Sequence, residues 1–154
     1  MIRNERQYII TKTQIKKFKK ALDEFDEQKS STHPMLVKAQ KEAMQSQLAG
    51  LEDQEKEYEK LRAGKYKVLK GSSIDDLPIG LIRARIALGL TQKQLAERVG
   101  LKEQQIQRYE ENDYASASFS RLKEIIKALG LDIEEKIFLP KDQQVQKAAA
   151  KHGC

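Results

Sequence analysis

A segment of twenty residues, 92–111 (QKQLAERVGLKEQQIQRYEE), constrains the fold of this chain more than any other. Leu95 and Val99 are one helical turn apart and can face a core together, with the small Ala96 beside them. Gly100 suits a turn residue with positive φ, which a Cβ would penalise. The apolar side of a second helix follows, formed by Leu101, Ile106 and Tyr109. This spacing predicts a helix-turn-helix, a motif that sets one helix into a DNA groove.

The outer face of the second helix carries side chains that can read bases. At about 100° per residue, turning Ile106 and Tyr109 inward brings Glu103 to the flank and four residues to the outer face: Gln104, Gln107, Arg108 and Glu111. Glutamine can bond adenine at two points, arginine can do the same with guanine, and glutamate can accept from cytosine. Glutamine and arginine are also good helix formers on any surface. The shared register of the apolar residues and the glycine favours DNA binding over that alternative.

Net charge is a weaker argument than these positioned residues. The 154 residues suffice for one ordinary domain or a small domain with an appendage, and the formal charge of +6 favours an anionic partner. Residues 1–70 carry 16 Lys and Arg against 11 Asp and Glu, whereas residues 71–154 carry 13 against 12. Most of the positive surplus therefore lies outside the predicted motif. The low aromatic fraction of 6% suits a helical protein with modest cores.

The sequence has no marks of a membrane protein, a metal site or a common enzyme. No apolar run approaches the ~20 residues that span a bilayer, and the charged first segment is not a signal peptide. We therefore expect a cytoplasmic protein with no membrane partner. Cys154 is the only cysteine, which excludes an intramolecular disulfide, and His33 and His152 are far apart in sequence. We expect no metal, no cofactor and no enzymatic activity.

Two amphipathic helices are predicted within residues 1–65. The first spans about 11–27, where apolar residues recur at spacings of 3, 4 and 3: Ile15, Phe18, Leu22 and Phe25. A break at 28–32 precedes a second helix that starts near Pro34, is capped by Thr32 or His33, and ends before Gly64. A bend at Gly50 is an open alternative.

Neither helix can stand alone in water, because each has a single apolar stripe. An intramolecular hairpin and a dimerising coiled coil both satisfy the pattern. The more specific alternative is that the apolar stripes form a surface that binds a different protein. Residues 1–65 are therefore predicted as a dimerisation or partner-binding region.

A linker at 66–76 leads to a compact domain predicted at 77–140, followed by a mobile tail at 141–154. The first helix of the compact domain, at about 78–88, has four core candidates: Leu81, Ile82, Ile86 and Leu88. Thr91 is well placed to cap the next helix. A later helix spans 119–129 and turns four residues inward: Leu122, Ile125, Ile126 and Leu129. Residues 132–139 fit a short helix or an edge strand equally well.

Residues 77–131 resemble the Cro/repressor-type helix-turn-helix family, also called the XRE family. The matching elements are LIRARIALGLTQKQLAERVGLKEQQIQRYE and the later LKEIIKALGL. The resemblance implies an all-α, lambda-repressor-like bundle of four or five short helices, beside the N-terminal hairpin or coiled coil. It also implies a transcriptional regulator that binds double-stranded DNA. One recognition unit per chain implies a homodimeric repressor if the operator has two-fold symmetry.

By the same likeness, specific residues receive roles. Gln92 would hold a phosphate through its side chain and its backbone amide. Lys102 stands where the family usually has Ser or Thr; it cannot cap the helix but could reach a phosphate. Arg85 is expected to pair with Glu110 and to fix the angle of the reading helix. The complete predicted DNA-binding set is Thr91, Gln92, Lys102, Glu103, Gln104, Gln107 and Arg108.

The N-terminal half, including NERQYIITKTQIKKF, is similar to the leading segment of HigA-type antitoxins, which are encoded beside a growth-inhibiting toxin. This second resemblance implies an alternative function. In that alternative, residues 1–65 neutralise a small toxin protein and DNA binding regulates the shared operon.

Overall fold

The computed structural model describes residues 1–25 and 33–139, and all regular structure in these ranges is helical. Six α-helices are present there: α1 (Glu5–Asp23), α2 (Pro34–Arg62), α3 (Leu77–Ala87), α4 (Gln92–Val99), α5 (Glu103–Glu111) and α6 (Phe119–Leu129). A short 3-10 turn, Ile74–Asp76, precedes α3. The predicted all-α fold is confirmed for the described part of the chain.

Helix α1 begins earlier than its apolar stripe predicted. The Asn4 side chain accepts from the Gln7 amide at 2.9 Å, and the Gln7 side chain accepts from the Arg3 amide at 2.8 Å. This reciprocal pair caps the helix, because it satisfies backbone amides that have no partner within the first turn. The helix ends at Asp23, so Phe25 lies beyond it. The predicted extension to residue 27 is therefore wrong at Glu24 and Phe25, and its remainder, with the break at 28–32, lies outside the described residues.

Helix α2 agrees with its prediction. His33 Nδ1 accepts from the Met35 amide at 3.3 Å, and Pro34 occupies the first turn, where its missing N–H costs nothing. The helix continues through Gly50 and stops before Gly64, whose φ of +63° suits a residue without a Cβ.

Helices α1 and α2 form an antiparallel hairpin within the chain. Near one end, Lys19 pairs with Glu52 at 2.8 Å; at the other, Arg62 pairs with Glu5 at 2.7 Å. Between these ion pairs the Tyr8 ring stacks on another ring, that of Tyr58, with centroids 5.1 Å apart. Of the two arrangements that the apolar stripes allowed, the described residues adopt the intramolecular one.

The hairpin and the C-terminal helices share one core. Three residues of the N-terminal half, Ile2, Tyr58 and Leu61, are buried in the same apolar cluster as residues of α3–α6. The cluster's members from those helices and their connections are Leu81, Ile82, Ile86, Leu95, Ala96, Ile106, Tyr114, Ile125 and Leu129. The division into separate regions at 66–76 stays a prediction, but apolar packing crosses it.

Two predictions in the C-terminal half are wrong. Leu88 was expected in the core, yet it is 50% exposed, because α3 ends at Ala87 and the chain turns outward there. The apolar residues of 132–139 form neither a helix nor a strand and are exposed, with Phe138 at 86%. The described residues offer no strand edge on which such a segment could pair. The predicted tail at 141–154 lies outside the described residues.

Candidate nucleic-acid interface

Helices α4 and α5 are held at a fixed angle by a tight turn. Thr91 caps α4: its hydroxyl accepts from the Gln94 amide at 3.1 Å, and the Gln94 side chain accepts from the Thr91 amide at 2.9 Å. Gly100 ends α4 with a φ of +72°, and the Leu101 amide then bonds the Ala96 carbonyl at 2.8 Å. These bonds satisfy the last carbonyls of α4 and direct the chain into α5.

The inner face of α5 is anchored in the core while its outer face is open. Ile106 and Glu110 are fully buried, one turn apart. At the helix start, the Lys102 side chain makes no capping bond; instead Gln105 accepts from the Lys102 amide at 3.1 Å. Lys102 is exposed, which leaves its ammonium group accessible.

On the outer face of α5, two of the predicted base-reading side chains are unbonded and two are hydrogen-bonded to each other. Gln104 and Arg108 are exposed one turn apart, and neither side chain has a hydrogen bond or an ion pair with the described residues. Gln107 is partly buried and donates to Glu103 at 3.2 Å. Gln104 and Arg108 are therefore free to bind a ligand. Gln107 and Glu103 must first break the hydrogen bond between them.

Gln92 differs from the role that the resemblance implied for its side chain. It is only 5% exposed, and both ends of its amide are occupied. Its Nε2 donates to Glu110 at 2.8 Å, and its Oε1 accepts from Asn4 at 3.1 Å. A phosphate cannot reach this side chain without breaking buried bonds. The Gln92 backbone amide, in the first turn of α4, has no intrahelical acceptor and remains the phosphate donor to consider.

Arg85 and Glu110 form the pair that the resemblance implied. Arg85 Nε and a terminal nitrogen donate to the two carboxylate oxygens of Glu110 at 2.5 and 2.7 Å, with side-chain exposures of 3% and 0%. The remaining donors of Arg85 bind the carbonyls of Leu90 at 2.7 Å and Arg3 at 2.6 Å. This network connects α3, α5, the α3–α4 turn and the N-terminal segment.

The family model described as Helix-turn-helix matches residues 81–136. This part of the chain is a helix-turn-helix domain of the Cro/repressor type. At the level of the family, such domains belong to DNA-binding transcriptional regulators. Comparison with curated proteins and with solved structures gave no significant match. Across the described ranges, the helices are too short or too polar to cross a bilayer.

The helix-turn-helix domain has a neighbour that the sequence did not predict at this site. The start of α1 lies beside α4 and α5, and the space between them is an open groove of about 690 Å³. Four residues of the predicted set line it: Thr91, Gln92, Glu103 and Gln107. The other three, Lys102, Gln104 and Arg108, lie outside the groove. The capping pattern Asn4-x-x-Gln7 was the available signal for a helix start here.

Proposed function

We propose that this protein is a sequence-specific regulator of transcription that places α5 in the major groove of double-stranded DNA. The observation that carries the proposal is the contrast between the two faces of α5. Glu110 and Ile106 fix one face in the core, and unpartnered Gln104 and Arg108 project from the other. A rigid helix with free amide and guanidinium groups loses little conformational freedom on binding, which favours base recognition.

Each predicted contact has a distinct role in this proposal. Arg108 would bond guanine and Gln104 would bond adenine, each at two points. Gln107 and Glu103 would read neighbouring positions after exchanging their mutual bond. Phosphates would be held by Lys102, the Thr91 hydroxyl proton and the Gln92 backbone amide, and these contacts would set the register of α5. Glu103 would repel phosphates, so a position over base edges suits it better.

The protein would act as a homodimeric repressor, because a single chain presents one reading helix. A two-fold operator with half-sites one helical turn apart would match two copies. Repression would need only occupation of a promoter, without chemistry or a cofactor.

Selection of duplexes from a random-sequence pool tests the base-reading assignment and requires no operator sequence at the outset. We expect Arg108→Ala to lose about 1–3 kcal/mol of discrimination between the selected duplex and one with a single changed base pair. Lys127→Ala removes the same charge from exposed α6 and should leave that discrimination unchanged. If the double variant Arg108→Ala, Gln104→Ala keeps the full selectivity of the wild type, α5 is not the reading helix.

A second candidate function, neutralisation of a small toxin, is favoured by the outer surface of the hairpin. Ile9 on α1 is 57% exposed and lies outside the groove, although Tyr8 and Thr11 on the same helix pack inward. We propose Ile9 as the centre of a toxin-binding surface. The full chain is the appropriate sample, because the hairpin shares its core with the helix-turn-helix domain.

The purified product of the adjacent reading frame provides the test of this second candidate. Wild-type protein should bind it, and Ile9→Glu should weaken that binding while DNA affinity stays unchanged. Gln14→Glu adds the same single negative charge on a different exposed face of α1 and is the matched control. Equal binding by wild type and Ile9→Glu would reject the proposed surface.

A further inference from the structure

The first residues of the chain are fixed against the reading helix rather than projecting from it. The Arg3 carbonyl accepts from Arg85 at 2.6 Å, and the Arg3 guanidinium pairs with Asp113, just after α5, at 2.7 Å. Asn4 donates to Gln92 at 3.1 Å at the start of α4. The beginning of α1 therefore has a defined position relative to both helices of the motif.

This position places one wall of the groove on α1 and the opposite wall on the proposed DNA interface. Arg6, Gln7 and Ile10 contribute from α1, and Thr91 and Gln107 contribute from the helix-turn-helix. The start of α4 is where the proposed function puts a DNA phosphate. The strand that carries this phosphate would pass along the mouth of the groove, within reach of a long side chain from α1.

Arg6 is the arginine in this groove whose charge is available. Arg3 pairs with Asp113, Arg62 pairs with Glu5, and Arg85 is buried against Glu110. Arg6 is exposed, and its guanidinium has no hydrogen bond or ion pair with the described residues. Since an unpaired guanidinium gives up no protein partner when it binds a phosphate, the full charge-assisted bond adds to affinity.

The charge of the opposite wall makes a cation at this position useful. Glu103 and Glu111 line the same groove on α5 and carry no cationic partner among the described residues. Both would repel a passing phosphate strand. A guanidinium on the facing wall offsets that repulsion where the strand approaches.

We propose that Arg6 binds a phosphate of the DNA backbone beside the reading helix, so that the N-terminal hairpin takes part directly in DNA binding. This inference rests on the proposed function, since it assumes that α5 lies in the major groove. It adds a contact from outside the region that the family model matches.

The salt dependence of binding to a random-sequence duplex tests this contact, because phosphate contacts do not depend on base sequence. Removing one contact should lower the slope of log affinity against log salt by about 0.9. Over a fourfold rise in salt concentration, the factor by which affinity falls should therefore be about 3.5 times smaller for Arg6→Ala than for wild type. Arg6→Lys keeps the charge and should restore most of the slope. The thermal midpoint should stay unchanged, since Arg6 is exposed and unpartnered among the described residues.

Lys17→Ala is the matched control for net charge. Lys17 is exposed on the same face of α1 as Arg6, about 16 Å further along the helix, and lies outside the groove. An unchanged slope in Arg6→Ala, or an equal decrease in Lys17→Ala, would overturn the Arg6 contact and leave the proposed function standing. A wild-type protein that binds no duplex at low salt would overturn both.

Discussion

Removal of one partner of the buried Arg85–Glu110 pair should destabilise the protein more than removal of both. In Arg85→Met, the carboxylate of Glu110 keeps a single described donor, the Gln92 amide, at 0% exposure. Breaking a buried pair in this way costs about 3–5 kcal/mol, because the remaining charge is neither solvated nor paired. Methionine fills much of the arginine's volume, so the lost charge partner dominates over any cavity.

The double variant Arg85→Met, Glu110→Met isolates the electrostatic part of this loss. It contains no buried charge, so we expect it to be more stable than Arg85→Met, with a coupling free energy of about 2 kcal/mol or more. It should still be less stable than wild type. The carbonyls of Leu90 and Arg3 lose their donor in Arg85→Met and in the double variant alike, and the Gln92 amide loses its acceptor only in the double variant. Each of these groups that stays buried costs about 1–3 kcal/mol.

The exposed pair Lys19–Glu52 provides the comparison for the same double-mutant cycle. Its atoms are 2.8 Å apart, but its side chains are 55% and 30% exposed, so we expect a coupling of about 0–1 kcal/mol. Urea unfolding followed by circular dichroism gives the free energy of unfolding for each variant. If Arg85→Met and Glu110→Met are additive, or couple no more strongly than Lys19 and Glu52, the buried pair does not lock α5 as described.

Two further substitutions test the packing of the helix-turn-helix domain. Ile2→Ala should lower the free energy of unfolding by about 2–4 kcal/mol and weaken DNA binding, because Ile2 is 2% exposed in the shared core. Ile9→Ala, at an exposed site, should change the free energy of unfolding by less than about 0.5 kcal/mol. Equal effects of the two substitutions would contradict the shared core. Tyr114→Phe should leave stability equal or raise it by about 1 kcal/mol, because the buried Tyr114 hydroxyl has no hydrogen-bond partner among the described residues. Burial also raises the pKa of the Tyr114 hydroxyl above its ordinary value of about 10. Above pH 10, the folded state therefore keeps a proton on this hydroxyl that the unfolded state releases. Wild-type stability should therefore fall as the pH rises beyond about 10, and this fall should be smaller in Tyr114→Phe when urea unfolding is repeated across that range.

The helix-turn-helix could be predicted from sequence because its determinants are local. Leu95, Gly100 and Ile106 specify periodicity and a left-handed turn within a dozen residues, and all three lie as expected. The pairing of Arg85 with Glu110 came from the family resemblance, since no local pattern joins residues so far apart. The structure places this pair in the core.

The roles of Gln92 and Asn4 could not be predicted in the same way. Local reasoning treats Gln92 as a surface residue at a helix start, where glutamine is usually solvated. Its burial depends on Asn4 and Glu110, and the bond to Asn4 spans 88 positions in sequence. The segment 132–139 was misassigned for a related reason. Apolar residues suggest regular structure only when a partner surface exists, and periodicity carries no information about that surface.

The position of Ile2, Arg3 and Asn4 has a consequence for synthesis of the chain. These residues leave the ribosome before their partners, because their contacts lie as far as 110 positions downstream, at Asp113. At about 5–20 residues per second, they wait roughly 6–22 s for those partners to be translated. The network around Arg85 then closes a loop from Arg3 to Glu110, and such a long loop slows its formation. The helix-turn-helix can therefore acquire the packing described above only after residue 113 has been translated.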